Sequence, residues 1–90
     1  MPNVTDNTAR QRFELEIDGQ IVFADYRRQG NVVIVPHVEA PPALRGSGAS
    51  GQLMEGMLAL LRGRGEKIVP TCSYAAAYIR RHEEHHDLLV

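Results

Sequence analysis

Three groups of residues in this chain have the types and spacing to do chemistry. Residues 46–51 read Gly46-Ser47-Gly48-Ala49-Ser50-Gly51, directly ahead of an apolar helical pattern. A glycine-rich loop that opens a helix is suited to holding a phosphate. The helix N-terminus offers unpaired N–H donors and partial positive charge, and glycines let a ligand reach the backbone with no Cβ in the way. Upstream, His37 and Glu39 alternate along one segment and so share one face of a strand. They read either as a general base with its orienting carboxylate or as a surface histidine beside a solvated glutamate. Downstream, the lone thiol of Cys72 precedes Tyr74 and Tyr78, which lie four residues apart on one helix face. The thiol reads either as an active-site group or as a small buried hydrophobe.

The glycine loop has two familiar forms that this sequence does not fit. A nucleoside-triphosphate loop needs Gly-Lys-Ser/Thr, so that a lysine reaches the outer phosphates and a hydroxyl holds magnesium. Here Gln52-Leu53 follows Gly51. The dinucleotide fingerprint Gly-x-Gly-x-x-Gly matches literally, but it belongs immediately after the first strand of a doubly wound sheet. Pro41-Pro42 and Ala43-Leu44 separate this loop from its strand, and too few residues follow to build that sheet. The histidines His82, His85 and His86 have helical spacing, yet no cysteine or second ligand cluster accompanies them. They predict a solvated polar tail and no metal site.

The elements that must position these groups follow from periodicity. Residues 1–10 are polar and aperiodic and predict a frayed leader, with the domain proper over 11–90. Arg12–Ile17 alternates polar and apolar, Asp18-Gly19 is a hairpin signal, and Gln20–Tyr26 is the returning strand. Gln29-Gly30-Asn31 turns again into Val32–Val35, a β-branched run that predicts a strand buried on both faces and continuing through Glu39. Pro36 calls for an edge, a bulge or a splay, and Pro41-Pro42 ends the strand. A helix follows over about residues 50–64, with Leu53, Met57, Leu60 and Leu61 as its apolar stripe, Met54 and Leu58 in the core, and Gly63 and Gly65 as its stop. Lys67–Cys72 is a fourth strand, and Ser73 caps a last helix carrying Tyr74, Ala75, Tyr78 and Ile79 to about His82. The order is β-β-β-α-β-α, an α/β (α+β) chain with a mostly antiparallel sheet.

Bulk properties narrow the function classes. Ninety residues make one domain with one modest core. A net charge of −1 argues against a nucleic-acid binder, which needs a basic face. One cysteine permits no intramolecular disulfide, which suits a reduced, cytoplasmic setting. The segment 1–12 lacks the apolar core of a signal peptide, and no apolar run approaches the roughly 20 residues that span a bilayer. The expectation is a soluble cytoplasmic protein with no membrane partner.

Read from Arg45, the loop Arg45-Gly46-Ser47-Gly48-Ala49-Ser50 resembles the R/Q-x-x-G-x-G/A signature of the Gcn5-related N-acetyltransferases, with Ser50 where the signature has glycine or alanine. The likeness extends through His37-Val38-Glu39, Pro41-Pro42, Leu44-Arg45-Gly46-Ser47-Gly48, Cys72-Ser73-Tyr74-Ala75-Ala76-Ala77-Tyr78 and Arg81-His82, in that order over residues 13–88. Taken together these resemble a subgroup of very small single-domain members, which lack the N-terminal strand and helices of larger relatives.

The resemblance implies an acetyl-coenzyme A-dependent N-acetyltransferase. Its acceptor would be an amine: a small molecule, a protein lysine or a protein N-terminus. Backbone amides of Arg45, Gly46, Ser47, Gly48, Ala49 and Ser50 would hold the cofactor's pyrophosphate. The pantetheine arm of coenzyme A would lie in a splay between the third and fourth strands, with the N–H near Val38 polarising the thioester carbonyl. Cys72 would face that splay as an acetyl carrier or a positioning group. His37 and Glu39 would take the amine proton, Tyr78 would protonate the departing thiolate, and Tyr74 would contact the cofactor. Arg81 and His82 read either as contacts to the cofactor's adenosine phosphate or as a solvated helix end, and the second is the expectation. The missing acceptor-shaping region leaves a second reading, a non-catalytic acyl-coenzyme A binding or sensing module. An open sheet edge leaves room for a monomer or a weak dimer.

Overall fold

A computed structural model describes residues 3–90 of the chain. Hairpin chemistry starts the sheet. Strand β2 (Arg12–Ile17) turns at Asp18 and Gly19, both with positive φ (51° and 77°), into β3 (Gln20–Gln29). Two central residues in the left-handed region give the turn whose twist matches antiparallel strands. Gly30, at φ 61°, makes the next turn into β4 (Val32–Glu39). Strand β4 leads through a short 3₁₀ turn (Pro42–Leu44) to helix α1 (Ala49–Arg64), which crosses to β5 (Lys67–Pro70). Helix α2 (Ser73–Arg81) and a 3₁₀ segment (Glu83–Leu88) complete the chain. The predicted order β-β-β-α-β-α is present, and one short strand, β1 (Thr5–Asn7), precedes it.

The strands lie side by side in chain order, β1-β2-β3-β4-β5. All neighbours are antiparallel except β4 and β5, which are parallel because α1 carries the chain back between them. Alternation seals one face of the sheet. Phe13, Leu15, Val22, Ala24, Val33, Val35 and Ile68 are buried there, in one core with Leu53, Met54, Met57, Leu58 and Leu61 of α1 and Ala75 and Ile79 of α2.

Two features of β4 position the site. Its ladder with β3 slips by one residue: Asp25 faces His37 but Arg27 faces Ile34, so β4 carries an extra residue at Val35-Pro36. Its pairing with β5 stops at Val35↔Pro70. Pro36 has no N–H to give a ladder, and it sits where β4 bulges and leaves β5. Strand β5 ends there, so among the described residues 36–39 have no strand partner on that side, which is where the expected splay would lie.

The structure differs from expectation at several points. The predicted leader falls partly on residues 1 and 2, which lie outside the described residues. Beyond them, Thr5–Asn7 pairs with Arg12–Glu14 and Val4 is buried, so this part is anchored in the fold. The anchor is Asp6, whose carboxylate accepts from Tyr26 at 2.6 Å and pairs with Arg64 at 2.9 Å. Val32 and Ile34 are only half-buried, so β4 is sealed on one face. A β-branched run marks strand propensity and does not state how many faces are covered. Gly63 lies within α1, and Gly65 at φ 69° ends the helix alone. Strand β5 stops at Pro70, and Cys72, not Ser73, occupies the N-cap of α2, with no side-chain cap.

The tail is solvated only in part: Glu83, Glu84, His86 and Asp87 are exposed, as expected, but one face of the segment is not. His85 and Leu88 are buried, three residues apart as a 3₁₀ turn requires for one face. Arg62 holds Asp87 at 2.5 Å and Lys67 donates to the Asp87 carbonyl at 2.5 Å. Leu89 bridges Ile68 in parallel beside β5.

Candidate functional site

The start of α1 is unusual in its capping. Its N-cap is Gly48 at φ 86°, with no side-chain cap and no acidic residue in the first turn. The first bond into the helix runs from Gln52 N–H to the Gly48 carbonyl at 3.1 Å. Among the described residues, the amides of Gly46, Gly48, Ala49, Ser50 and Gly51 donate to no backbone carbonyl. A helix start normally spends a serine or aspartate side chain on such donors. Here they stay free, at the positive end of a four-turn dipole.

A cavity of about 250 Å³ opens on these donors, lined by Leu44, Gly46, Gly48, Ala49, Ser50, Gly51 and Tyr74. The empty space around Gly46 and Gly48, both at positive φ, leaves the backbone bare toward a ligand. Converging amides without a competing carboxylate fit a phosphate or pyrophosphate.

The predicted set of donors needs revision. The Arg45 amide donates to the Pro42 carbonyl at 3.3 Å, and the Ser47 amide to the Leu44 carbonyl at 3.1 Å. The Ser47 hydroxyl also donates to Leu44, at 2.5 Å. These two residues shape the turn and have no free amide. The Arg45 guanidinium bonds the Ala40 carbonyl at 3.2 Å, tying the loop to the end of β4. Gly51 and Leu44 were missed. Gly51 is a free donor because it lies in the first turn of α1, where amides have no carbonyl four residues back within the helix.

Tyr74 stands across the cavity from the α1 terminus, in the first turn of α2. Burial pushes its phenol pKa up, while nearby Arg81 acts the other way. Cys72 is half-buried against the core at the N-cap of α2. The amides of Thr71 and Cys72 both donate to the Val35 carbonyl, at 3.1 and 3.0 Å, at the point where the β4–β5 ladder ends. Val38 lies half-buried in the stretch of β4 that pairs with β3 alone, beyond the end of its ladder with β5.

His37 and Glu39 do share one face, with Nε2 and Oε1 3.0 Å apart and both side chains half exposed. The His37 ring meets Phe23 edge-on at 6.2 Å. Among the described residues, no hydrogen bond joins this pair to Cys72, Tyr74 or Tyr78.

Tyr78 is placed differently from its predicted role. Its hydroxyl donates to the Glu55 carboxylate on α1, and it is absent from the cavity lining. Burial and that carboxylate push its phenol pKa well up, opposite to what an acid for a thiolate needs. His82 stacks on Tyr78, and its Nδ1 lies 2.7 Å from the Tyr78 carbonyl, so it is a half-buried helix end, not a solvated one. No group of three or more metal-ligating side chains occurs among the described residues. No helix among them is long and apolar enough to cross a membrane.

Comparison with known proteins speaks to family and fold. The family described as GCN5-related N-acetyl-transferase matches residues 12–88. No curated protein matches the chain. Among solved structures, the NMR solution structure of a GCN5-like protein from Staphylococcus aureus is similar, with a TM-score of 0.75 and 19% identity, over 98% of this chain and 87% of that one. At that identity the likeness speaks for the fold.

Proposed function

The chain belongs to the GCN5-related N-acetyltransferase family, and from that premise we propose that it is an acetyl-coenzyme A-dependent N-acetyltransferase acting on an amine in the cytoplasm. The observation that carries the reading is the uncapped start of α1, where free amides of Gly46, Gly48, Ala49, Ser50 and Gly51 line one cavity together with Tyr74 of α2.

These amides would hold the pyrophosphate of coenzyme A, and Tyr74 would flank it. When bound, the cofactor supplies an activated acetyl thioester. The chain's own residues would orient and polarise. The stretch of β4 around Val38, which has no β5 partner, would offer backbone groups to the acyl arm, and the Cys72 amide bonds Val35 where that stretch begins. His37, oriented by Glu39, is the proposed sink for the amine proton. The acceptor would be a small amine, a protein lysine or a protein N-terminus.

The test is release of free thiol from acetyl-coenzyme A in the presence of a panel of amines. Turnover with any of them supports the enzyme. Binding of coenzyme A without turnover favours a second reading, an acyl-coenzyme A sensing module. Two observations favour that alternative: the Tyr78 hydroxyl is committed to Glu55, and among the described residues the His37–Glu39 pair is not hydrogen-bonded to Cys72. No binding of coenzyme A sinks both.

A further inference from the structure

Beside the cavity, one turn further along each helix, lies a side-chain cluster that the glycine loop does not use. A single oxygen, Glu55 Oε2 on α1, accepts from two other elements. One donor is the Tyr78 hydroxyl on α2, and the other is Nε2 of His85 in the Glu83–Leu88 segment, at 2.9 Å. The Tyr78 ring also stacks on His82, with centroids 4.0 Å apart and planes 15° apart. Nδ1 of His85 is buried and has no partner among the described residues. A buried polar atom without a partner is unfavourable, so His85 is held in place by what its other nitrogen gains from Glu55.

Helical spacing ties this cluster to the cavity. Glu55 is one turn beyond Gly51, and Tyr78 is one turn beyond Tyr74. Gly51 and Tyr74 line the cavity from different helices. The Tyr78 ring lies against Gly51 itself, since a Cβ there would meet its Cε2 at 3.6 Å. The contact between Glu55 and Tyr78 thus fixes α1 against α2 one turn from the free amides.

We propose that Glu55 is a positioning residue of the coenzyme site: through Tyr78 and His85 it sets the distance between the α1 amides and the Tyr74 ring. This rests on the coenzyme A reading above. The carboxyl of Glu55 is pushed up by burial but held below its usual range by the Tyr78 and His85 hydrogen bonds, so the anionic acceptor is the form present at neutral pH. Because both donors meet on one oxygen, a glutamine carbonyl can replace the carboxylate.

The test compares the unaltered chain with Glu55→Ala, Glu55→Gln, Tyr78→Phe and the Glu55→Ala/Tyr78→Phe pair. Coenzyme A is titrated calorimetrically at a temperature where circular dichroism shows each variant folded. The expected result is a Kd about tenfold weaker for Glu55→Ala, near-normal binding for Glu55→Gln, and a double variant no weaker than Glu55→Ala alone, as coupled neighbours behave. A role confined to stability would lower melting temperatures and leave Kd unchanged in the folded variants, which overturns the proposal. If Glu55→Ala does not fold, Tyr78→Phe decides: an unchanged Kd overturns the proposal and one weaker by about threefold or more supports it. If the unaltered chain binds no coenzyme A, the coenzyme reading fails, and the positioning role falls with it.

Discussion

Tyr26 donates its phenol proton to Asp6 at 2.6 Å, reaching from β3 to β1 past the start of the strand between them. The Tyr26 ring packs on Phe13 at 4.8 Å, and Arg64 from the end of α1 takes the other oxygen of Asp6. Arg28 adds a second cation and in turn pairs with Glu66 at 3.0 Å. One carboxylate thus fastens the N-terminal strand, the sheet and the end of α1.

Asp6→Ala is expected to cost about 2 kcal/mol, because it strands a phenol and a guanidinium around a nearly buried position. Burial pushes the Asp6 carboxyl up, but the Tyr26 and Arg64 hydrogen bonds and the two arginine charges outweigh it and hold the pKa below its ordinary 3.8. The contribution is fully present above that ordinary value and is lost as pH falls through the lower folded value. Urea unfolding from pH 7 to pH 2.5 should show this acid loss in the unaltered chain and a smaller one in Asp6→Asn.

Gly48→Ala and Gly65→Ala make a matched pair. Both glycines have positive φ, 86° and 69°, and each alanine should cost about 1 kcal/mol of backbone strain. Only Gly48 lines the cavity. Melting temperatures should fall alike, while coenzyme A affinity falls only for Gly48→Ala. Equal affinities would show that the loop glycine serves the turn alone.

Cys72 is the N-cap of α2, two residues before Tyr74, and Tyr74 lines the cavity. Saturating coenzyme A is therefore expected to slow alkylation of Cys72 several-fold, followed by mass spectrometry of the intact protein. An unchanged rate would place the thiol outside the site.

Leu88→Ala is expected to destabilise the chain by about 2–4 kcal/mol, as for other buried leucines. A solvated tail would make that substitution neutral. Leu89→Ala, at a more exposed position, is the control and should lose far less in the same denaturant titration.

The sequence carries what local rules decide. The alternation of Arg12–Ile17, the Asp18-Gly19 turn, the stripe of α1 and the break at Pro36 each follow from a few neighbouring residues, and each stands where expected. Strand β1 could not be read this way. Thr5-Asp6-Asn7 shows no apolar alternation, and its reason to pair is Asp6, whose partners lie far along the chain. The same holds for Glu55. On its helix it is one more polar residue, and its partners arrive on two later elements. The tail misled because its charges read as solvation, while the signal was His85 and Leu88 at 3₁₀ spacing. In the site, glycine types and loop position were legible, but which amides stay free depends on where α1 begins, and helix starts are not sharp in sequence.

The end of the β4–β5 ladder at Val35 also bears on the order in which the molecule assembles. Strands β2, β3 and β4 are neighbours joined by tight turns, so their ladders close short loops at little entropic cost. The parallel ladder of β4 and β5 must wait for all of α1 to be laid down between them. The cavity, set between the start of α1 and the first turn of α2, belongs to this late half of the fold. A ligand that grips late structure lowers the native state more than the barrier to reaching it. Coenzyme A is therefore expected to lengthen the lifetime of the folded chain while leaving its refolding rate nearly untouched.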